Sequence, residues 1–353
     1  MRVGIFLVML ACLGPAADAS DTLTIGTLSA RPGEIMSGPL AVPTGADQIR
    51  THIPLTLING ANTGPVLTLV AGIHGAEYPP ILAMQRLATL VDPAELRGAI
   101  IIVHIANLPS FQRRTIYVGP HDLKNLNRSF PGNIDGTVTE RIAATLTESV
   151  IARSDFLIDI HAGDSNEGLR PNYSAYYAEA GSEQLIAQSK RIAKAFGLDY
   201  IVQFRGTVDS VEKAIYTSAQ AVALGIPAMD VESGEVGRRD EVYVAPIVEG
   251  VFGVLYELDM LDGEVRDYTP LYIGSRARVY SQHEGIWYPN ERIELGDFVT
   301  QGADLGRITD YFGNTLQQVV APASGILLIR FATPPVNVRD NIVVIGAVDQ
   351  PID

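Results

Sequence analysis

The stretch "VLTLVAGIHGAEYPP", residues 66–80, joins an apolar run of strand length to His74 and Glu77, three residues apart. Gly64-Pro65 and Gly72 bound the run, which marks it as a buried strand. "YPPILAMQRLATLVD" follows with the 3.6-residue apolar period of a helix, its prolines tolerated in the first turn. The same alternation recurs along the chain. "GAIIIVHIAN", "DFLIDIHAG" and "IPAMDVESG" are further buried strands. "VTERIAATLTESVIARS", "SEQLIAQSKRIAKAFG", "SAQAVALG" and "EVYVAPIVEGVFGVLYELDML" are helices, and a polar loop covers about Leu108 to Thr137. Continuous apolar strands alternating with amphipathic helices predict an α/β sheet covered on both faces. Ligands in such sheets bind at the carboxyl ends of the strands. "AGIHGAE", "DIHAGD" and "DVESGE" are three such strand exits.

Before this core, Asp21 to about Asn62 is strand-like. Still earlier, "MRVGIFLVMLACLGPAADAS" has a basic Arg2, an apolar run Val3–Leu13, Pro15 and then Ala17-Asp18-Ala19. That is the layout of a signal peptide (residues 1–19) cleaved before Ser20, so export to the periplasm or medium is expected. A buried N-terminal strand or helix is the plainer alternative. A lipid anchor on Cys12 is disfavoured, because Met9-Leu10-Ala11 is a poor lipobox. Cys12 is the single cysteine. Its removal excludes disulfides, thiolate ligands and a cysteine nucleophile, leaving His, Asp and Glu to hold any metal. Net charge is −14, and no Lys/Arg-rich run appears, so nucleic acid is not an expected partner. No later segment reaches the ~20 apolar residues of a membrane span.

Taken alone, His-x-x-Glu is weak evidence, because strand-end histidines are commonly hydrogen-bonded structural residues. Three features favour a ligand pair. Gly72 and Gly75 flank His74 and free the backbone to turn both side chains toward one point. The pair leaves a buried strand. A second strand exit supplies His161. Two imidazoles and a carboxylate form a zinc site with its fourth position open to water. Asp159, two residues before His161, points to the same strand face. It either orients that imidazole or caps nearby amides. His52 and His104 lie in strand-like apolar stretches and read as structural; His121 is in the polar loop and His283 in the tail.

Taken in order, "GIHGAE", "NLNRSFPG", "DIHAG" and "DVESG" resemble the aspartoacylase and succinylglutamate desuccinylase family over about residues 50–260. These are zinc amidohydrolases related in fold to the zinc carboxypeptidases. The resemblance implies a mixed sheet with helices on both faces, and one zinc per chain on His74, Glu77 and His161. It implies that Asn127 and Arg128 face the substrate and that Glu232, rather than Glu235, is the catalytic carboxylate. The family often carries a further arginine near the site, for which Arg114 is preferred to Arg113 as the group that steadies the oxyanion. Ile116 stands where many relatives have a second arginine.

Past a boundary near residues 264–272 the texture changes to short strands with glycine turns. This divides a catalytic domain (20–268) from a small all-β domain (269–353). "GDFVTQGADLGRITD" and "VVAPASGIL" resemble the β-sandwich of biotinyl and lipoyl carriers. "DYFGNTLQQ" between them has no lysine, so no cofactor is expected there. Such a module packs beside the site or assists a homo-oligomer. The expected function is hydrolysis of the amide of an N-acyl amino acid or similar small molecule. The alternatives are a carboxypeptidase-type metallopeptidase acting on envelope peptides, and an exported binding protein with a degenerate site. The intact set of His74, Glu77, His161, Arg128 and Glu232 argues against the last.

Overall fold

A computed structural model describes residues 21–208 and 210–349, so the leader segment and Cys12 lie outside the described residues. A thirteen-stranded mixed sheet runs through the protein. From one edge its order is Glu34–Val42, Thr51–Asn59, Arg97–Val103, Asn62–Ala71, Phe156–His161, Ala228–Glu232, Tyr173–Tyr177 and Tyr200–Phe204. Leu271–Tyr280, Asn341–Asp349, Gly325–Phe331 and Phe298–Val299 continue it, and Glu167–Leu169 also pairs with Gly325–Phe331.

The central strands Arg97–Val103, Asn62–Ala71, Phe156–His161 and Ala228–Glu232 are mutually parallel. Both of their faces are covered, which is why they read as unbroken apolar runs. Side chains alternate across the sheet. Leu67, Leu69, Ile158, Ile160, Met229 and Val231 enter one core with the helices Tyr78–Leu90, Glu183–Ala195 and Glu241–Glu257. Val66, Val70, Leu157 and Ala228 enter the other with Val138–Ser149 and Thr217–Ala223. The same two-residue period continues past Leu157 to Asp159 and His161, and past Ala228 to Asp230 and Glu232. Parallel register then sets Asp159 beside Asp230, and His161 beside Glu232. The pattern that buries the apolar residues thus gathers four polar ones at the carboxyl ends of two neighbouring strands.

The helices follow local signals. Prolines stand in the first turn of Tyr78–Leu90. Val138–Ser149 starts with the Glu140 carboxylate accepting from the Thr137 amide at 2.9 Å, half of a capping box. Two parts of the sequence reading need correction. The segment 108–137 is not all loop: Leu108–Arg113 is helical, with the Asn107 side chain accepting from the Ser110 amide at its start, and Leu126–Arg128 is a 3₁₀ turn. The aromatic run Tyr173–Tyr177 and the segment Tyr200–Phe204, to which no strand was ascribed, are both strands of the sheet.

Residues beyond 270 form the strands of the tail. Its four-stranded antiparallel sheet and three strands of the large one enclose a core around Trp287, Leu305, Ile308, Phe331 and Ile345. Two seams tie this module to the α/β part: Leu271–Tyr280 runs parallel to Tyr200–Phe204, and Gly325–Phe331 antiparallel to Glu167–Leu169. A small shared core of Leu169, Tyr173, Ala175, Val202, Ile273 and Leu328 fills the junction. No described helix is long and apolar enough to cross a membrane.

Candidate active site

His74 lies three residues beyond the end of the Asn62–Ala71 strand, while His161 and Glu232 are the last residues of theirs. The intervening turn depends on glycine at two points. Gly72 has φ +68°, and a Cβ on Gly75 would run into the backbone oxygens of Ser110 and Thr115. This turn brings the Glu77 carboxylate between two imidazoles: Oε1 is 2.6 Å from His74 Nδ1, and Oε2 is 2.9 Å from His161 Nδ1. All three residues are buried, and their ligand atoms lie within 4.8 Å of one another.

The opposite ring nitrogens are held from behind. His74 Nε2 is 3.2 Å from Asn125 Oδ1. His161 Nε2 is 3.1 Å from Asp159 Oδ2 and 3.3 Å from Asn127 Nδ2. Of the two roles open to Asp159, orienting the imidazole is therefore the one its position serves. The Asp159 carboxylate is fully buried and faces that imidazole nitrogen. An imidazole that directs Nδ1 at a cation and anchors Nε2 on a carboxylate or carbonyl oxygen is the usual arrangement of a metal ligand.

The charges are arranged accordingly. Burial penalises the Glu77 carboxylate, yet the two imidazoles pull its pKa down to about 2. Burial likewise disfavours both imidazolium ions, but Glu77 raises His74, and Asp159 with Glu77 raises His161 well above the usual range. Without a cation the protons themselves neutralise the site, and a metal would displace them.

A cavity of about 440 Å³ opens over this triad. Of the site residues expected from sequence, it brings together His74, Glu77, His161, Asn127, Arg128 and Glu232. The Asn127 amide is largely committed within the protein, since its Oδ1 accepts from the Thr217 amide at 2.9 Å. Arg128 is exposed at the mouth, its guanidinium 4.5 Å from the centre of the Tyr216 ring. Glu232 Oε2 is buried without a partner, and burial together with Glu77, Glu167 and Asp230 raises its pKa well above the usual range, against the opposing charge of His161. Glu235 is engaged elsewhere, accepting from Arg170 Nη2 and from the Tyr243 hydroxyl, each at 2.6 Å.

Arg114 is not in this cavity. It follows the Leu108–Arg113 helix in the left-handed conformation, φ +56°, and is exposed. Its side chain lines a separate depression with Tyr78, Ile81, Leu82 and Phe111. Arg113 is exposed as well. The helix that replaces the expected loop carries both arginines out of the site. His52, His104, His121 and His283 also lie outside the cavity; His104 is spent on Thr56 Oγ1 at 2.7 Å.

Several lining residues escaped the sequence reading. Asn125 and Asp230 lie within "NLNRSFPG" and "DVESG", and their spacing from a ligand could have found them. Burial and Asp159 push Asp230 up to about 7. Tyr117, Glu167, Arg276, Arg278 and Ile329 had no such signal, and the last three come from the tail.

Against known proteins, residues 63–258 match the model of the succinylglutamate desuccinylase/aspartoacylase catalytic domain. An N-alpha-acetyl-L-2,4-diaminobutyric acid deacetylase of Halomonas elongata is 30% identical over 326 residues, spanning 89% of this chain and 92% of the relative. The product-bound ectoine utilization protein EutE (DoeB) of Ruegeria pomeroyi superposes with a TM-score of 0.79 at 27% identity, covering 89% of this chain and 95% of that one. A succinylglutamate desuccinylase of Silicibacter sp. TM1040 gives 0.78 at 27% identity, over 93% and 100%.

Proposed function

The chain belongs to the succinylglutamate desuccinylase/aspartoacylase family, and we propose that within it the protein is a zinc-dependent deacylase of a small N-acyl amino acid. One observation carries this reading: a buried His74–Glu77–His161 triad lines the same cavity as Glu232, whose buried Oε2 has no hydrogen-bond partner among the described residues. The donor set suits zinc. It has two imidazoles and one carboxylate without thiolate, each imidazole is backed by an oxygen, and the cavity stands above. When bound, zinc supplies polarisation of the scissile carbonyl and a lowered pKa for water.

The chain's own residues supply the rest. Glu232 takes a proton from the attacking water and returns it to the departing amine nitrogen. Its place at the strand end beside His161, lining the cavity, suits it to both halves of that transfer. Arg128 offers a planar fork to a substrate carboxylate at the mouth. The named activity of the Halomonas elongata relative supports an acyl group as small as acetyl. The signal-peptide layout of residues 1–19 supports an exported enzyme.

The test is amine release from a panel of N-acyl amino acids and of C-terminal peptides, using protein stripped of metal and then reloaded with zinc. The expected result is cleavage of an N-acyl amino acid that disappears on stripping and returns on reloading. Cleavage confined to peptides would favour the carboxypeptidase reading, and no cleavage of any substrate would refute both.

A further inference from the structure

The sequence leads to an arginine as the group that steadies the oxyanion, yet the structure carries Arg113 and Arg114 away from the cavity. Tyr117, three residues later, lines the cavity with His74, Glu77 and His161. Its ring stands edge-on to His74, with centroids 5.9 Å apart and planes at 88°. The backbone there has φ +58°, an uncommon state for a bulky residue. A dedicated contact supports that state: the Tyr117 amide donates to Asp164 Oδ2 at 3.0 Å, and Asp164 is fully buried. The phenol stands beside the side chains of Asn166 and Glu167. Glu167 in turn pairs with Phe331 of the tail, so both ends of the tyrosine lie against fixed parts of the fold. An unfavourable backbone state held by a buried carboxylate at a cavity wall is a hallmark of a functional position.

From these contacts we propose that Tyr117 is a catalytic residue, its hydroxyl donating a hydrogen bond to the oxygen that gains negative charge as water adds to the scissile amide. The inference rests on the amide-hydrolysis reading above. No atom is transferred: burial holds the phenol above the ordinary tyrosine value of about 10, so it keeps its proton at neutral pH and offers it as a hydrogen bond to the new charge. The other candidate donors are held on another wall. Arg276 lies over the Phe204 ring at 4.4 Å, Arg128 over Tyr216, and Arg205 donates to the Gly274 carbonyl. A donor aimed at developing charge contributes mostly to kcat, because the ground-state carbonyl needs it little.

The experiment compares wild type with Tyr117→Phe, and with Tyr117→Asn, whose side chain tolerates the left-handed backbone. Three quantities are read: zinc content, kcat and KM for a cleaved N-acyl amino acid, and affinity for a phosphinate analogue with a tetrahedral anionic centre. The expected result is full zinc, a KM within a few fold, kcat lower by about 10²–10³-fold, and a similar loss of analogue affinity. Analogue affinity and turnover near wild-type values in Tyr117→Phe would overturn the proposal. Loss of zinc from both variants would also overturn it, since Tyr117 would then be a prop for His74. If wild type cleaves no N-acyl amino acid, the functional reading fails separately, while analogue affinity still decides the role of the hydroxyl.

Discussion

Glu77 bridges two imidazoles, so the state of this one carboxylate sets how the site responds to pH and to metal. In metal-free protein His74 and His161 titrate above their usual 6.5, and Glu77 at about 2 rather than 4.5. A raised histidine pKa contributes stability that is complete below 6.5 and lost as pH climbs through the raised value. A depressed glutamate pKa contributes stability that is complete above 4.5 and lost as pH falls toward 2. Both are complete together only between about pH 4.5 and 6.5, so this triad makes the Tm of chelated protein fall above that window. Zinc bound here would take the place of the protons, so the stabilisation it adds is expected to grow as pH rises over the same range. A zinc-induced gain in Tm that shrinks from pH 6.5 to 8 would contradict this. Asp159→Asn weakens the anchor of His161 and is expected to lower zinc affinity about 10–100-fold with the fold intact, as equilibrium dialysis would measure. Unchanged affinity would mean that Asp159 is not the anchor. At this scale the clustering of His74, Glu77 and His161 was legible from the sequence because they lie at strand ends beside glycines. Arg114 lies outside the cavity because it follows a six-residue helix that the sequence reads as loop. Tyr117 was invisible, since its importance lies in a backbone angle and in a partner, Asp164, 47 residues away.

Strands that are buried on both faces announce themselves as apolar runs, and all four central ones were readable for that reason. Tyr173–Tyr177 was not. Its aromatic residues mix with Ser174 and Ala175, and it runs antiparallel to Ala228–Glu232 in an otherwise parallel neighbourhood. Pairing of this kind is a tertiary fact with no local period to reveal it. The strand matters, because Tyr173 and Tyr177 line the cavity and Ala175 belongs to the junction core. Ile273, buried completely in that junction, tests whether the seam holds the two parts together. Ile273→Ala is expected to cost about 2–5 kcal/mol in urea unfolding, the range for a large aliphatic residue removed from a packed core. A loss below 0.5 kcal/mol would mean that the seam is loose.

For the molecule as a whole, the sequence signalled a change near residue 268 but not how the tail attaches. A sheet that continues through Leu271–Tyr280 makes the tail a neighbour in backbone hydrogen bonding, and Arg276, Arg278 and Ile329 line the cavity. Ending the chain at residue 268 would leave Tyr200–Phe204 as an open edge and strip cover from Leu169 and Val202. Such a truncated protein is expected to be aggregated or inactive; a monodisperse and fully active one would show that the tail is dispensable. The central claim is that the triad and Glu232 together hydrolyse an amide, and Glu232→Gln tests it most directly. Gln keeps the size and a hydrogen bond but cannot accept a proton, whereas Glu235→Gln disturbs contacts to Arg170, Tyr243 and Arg238 away from the triad. The measurement is kcat for a cleaved N-acyl amino acid at matched zinc content in wild type and the two variants. The expected drop is about 10²–10⁴-fold for Glu232→Gln and a few fold at most for Glu235→Gln. Wild-type turnover in zinc-loaded Glu232→Gln, or a larger loss in Glu235→Gln, would contradict it.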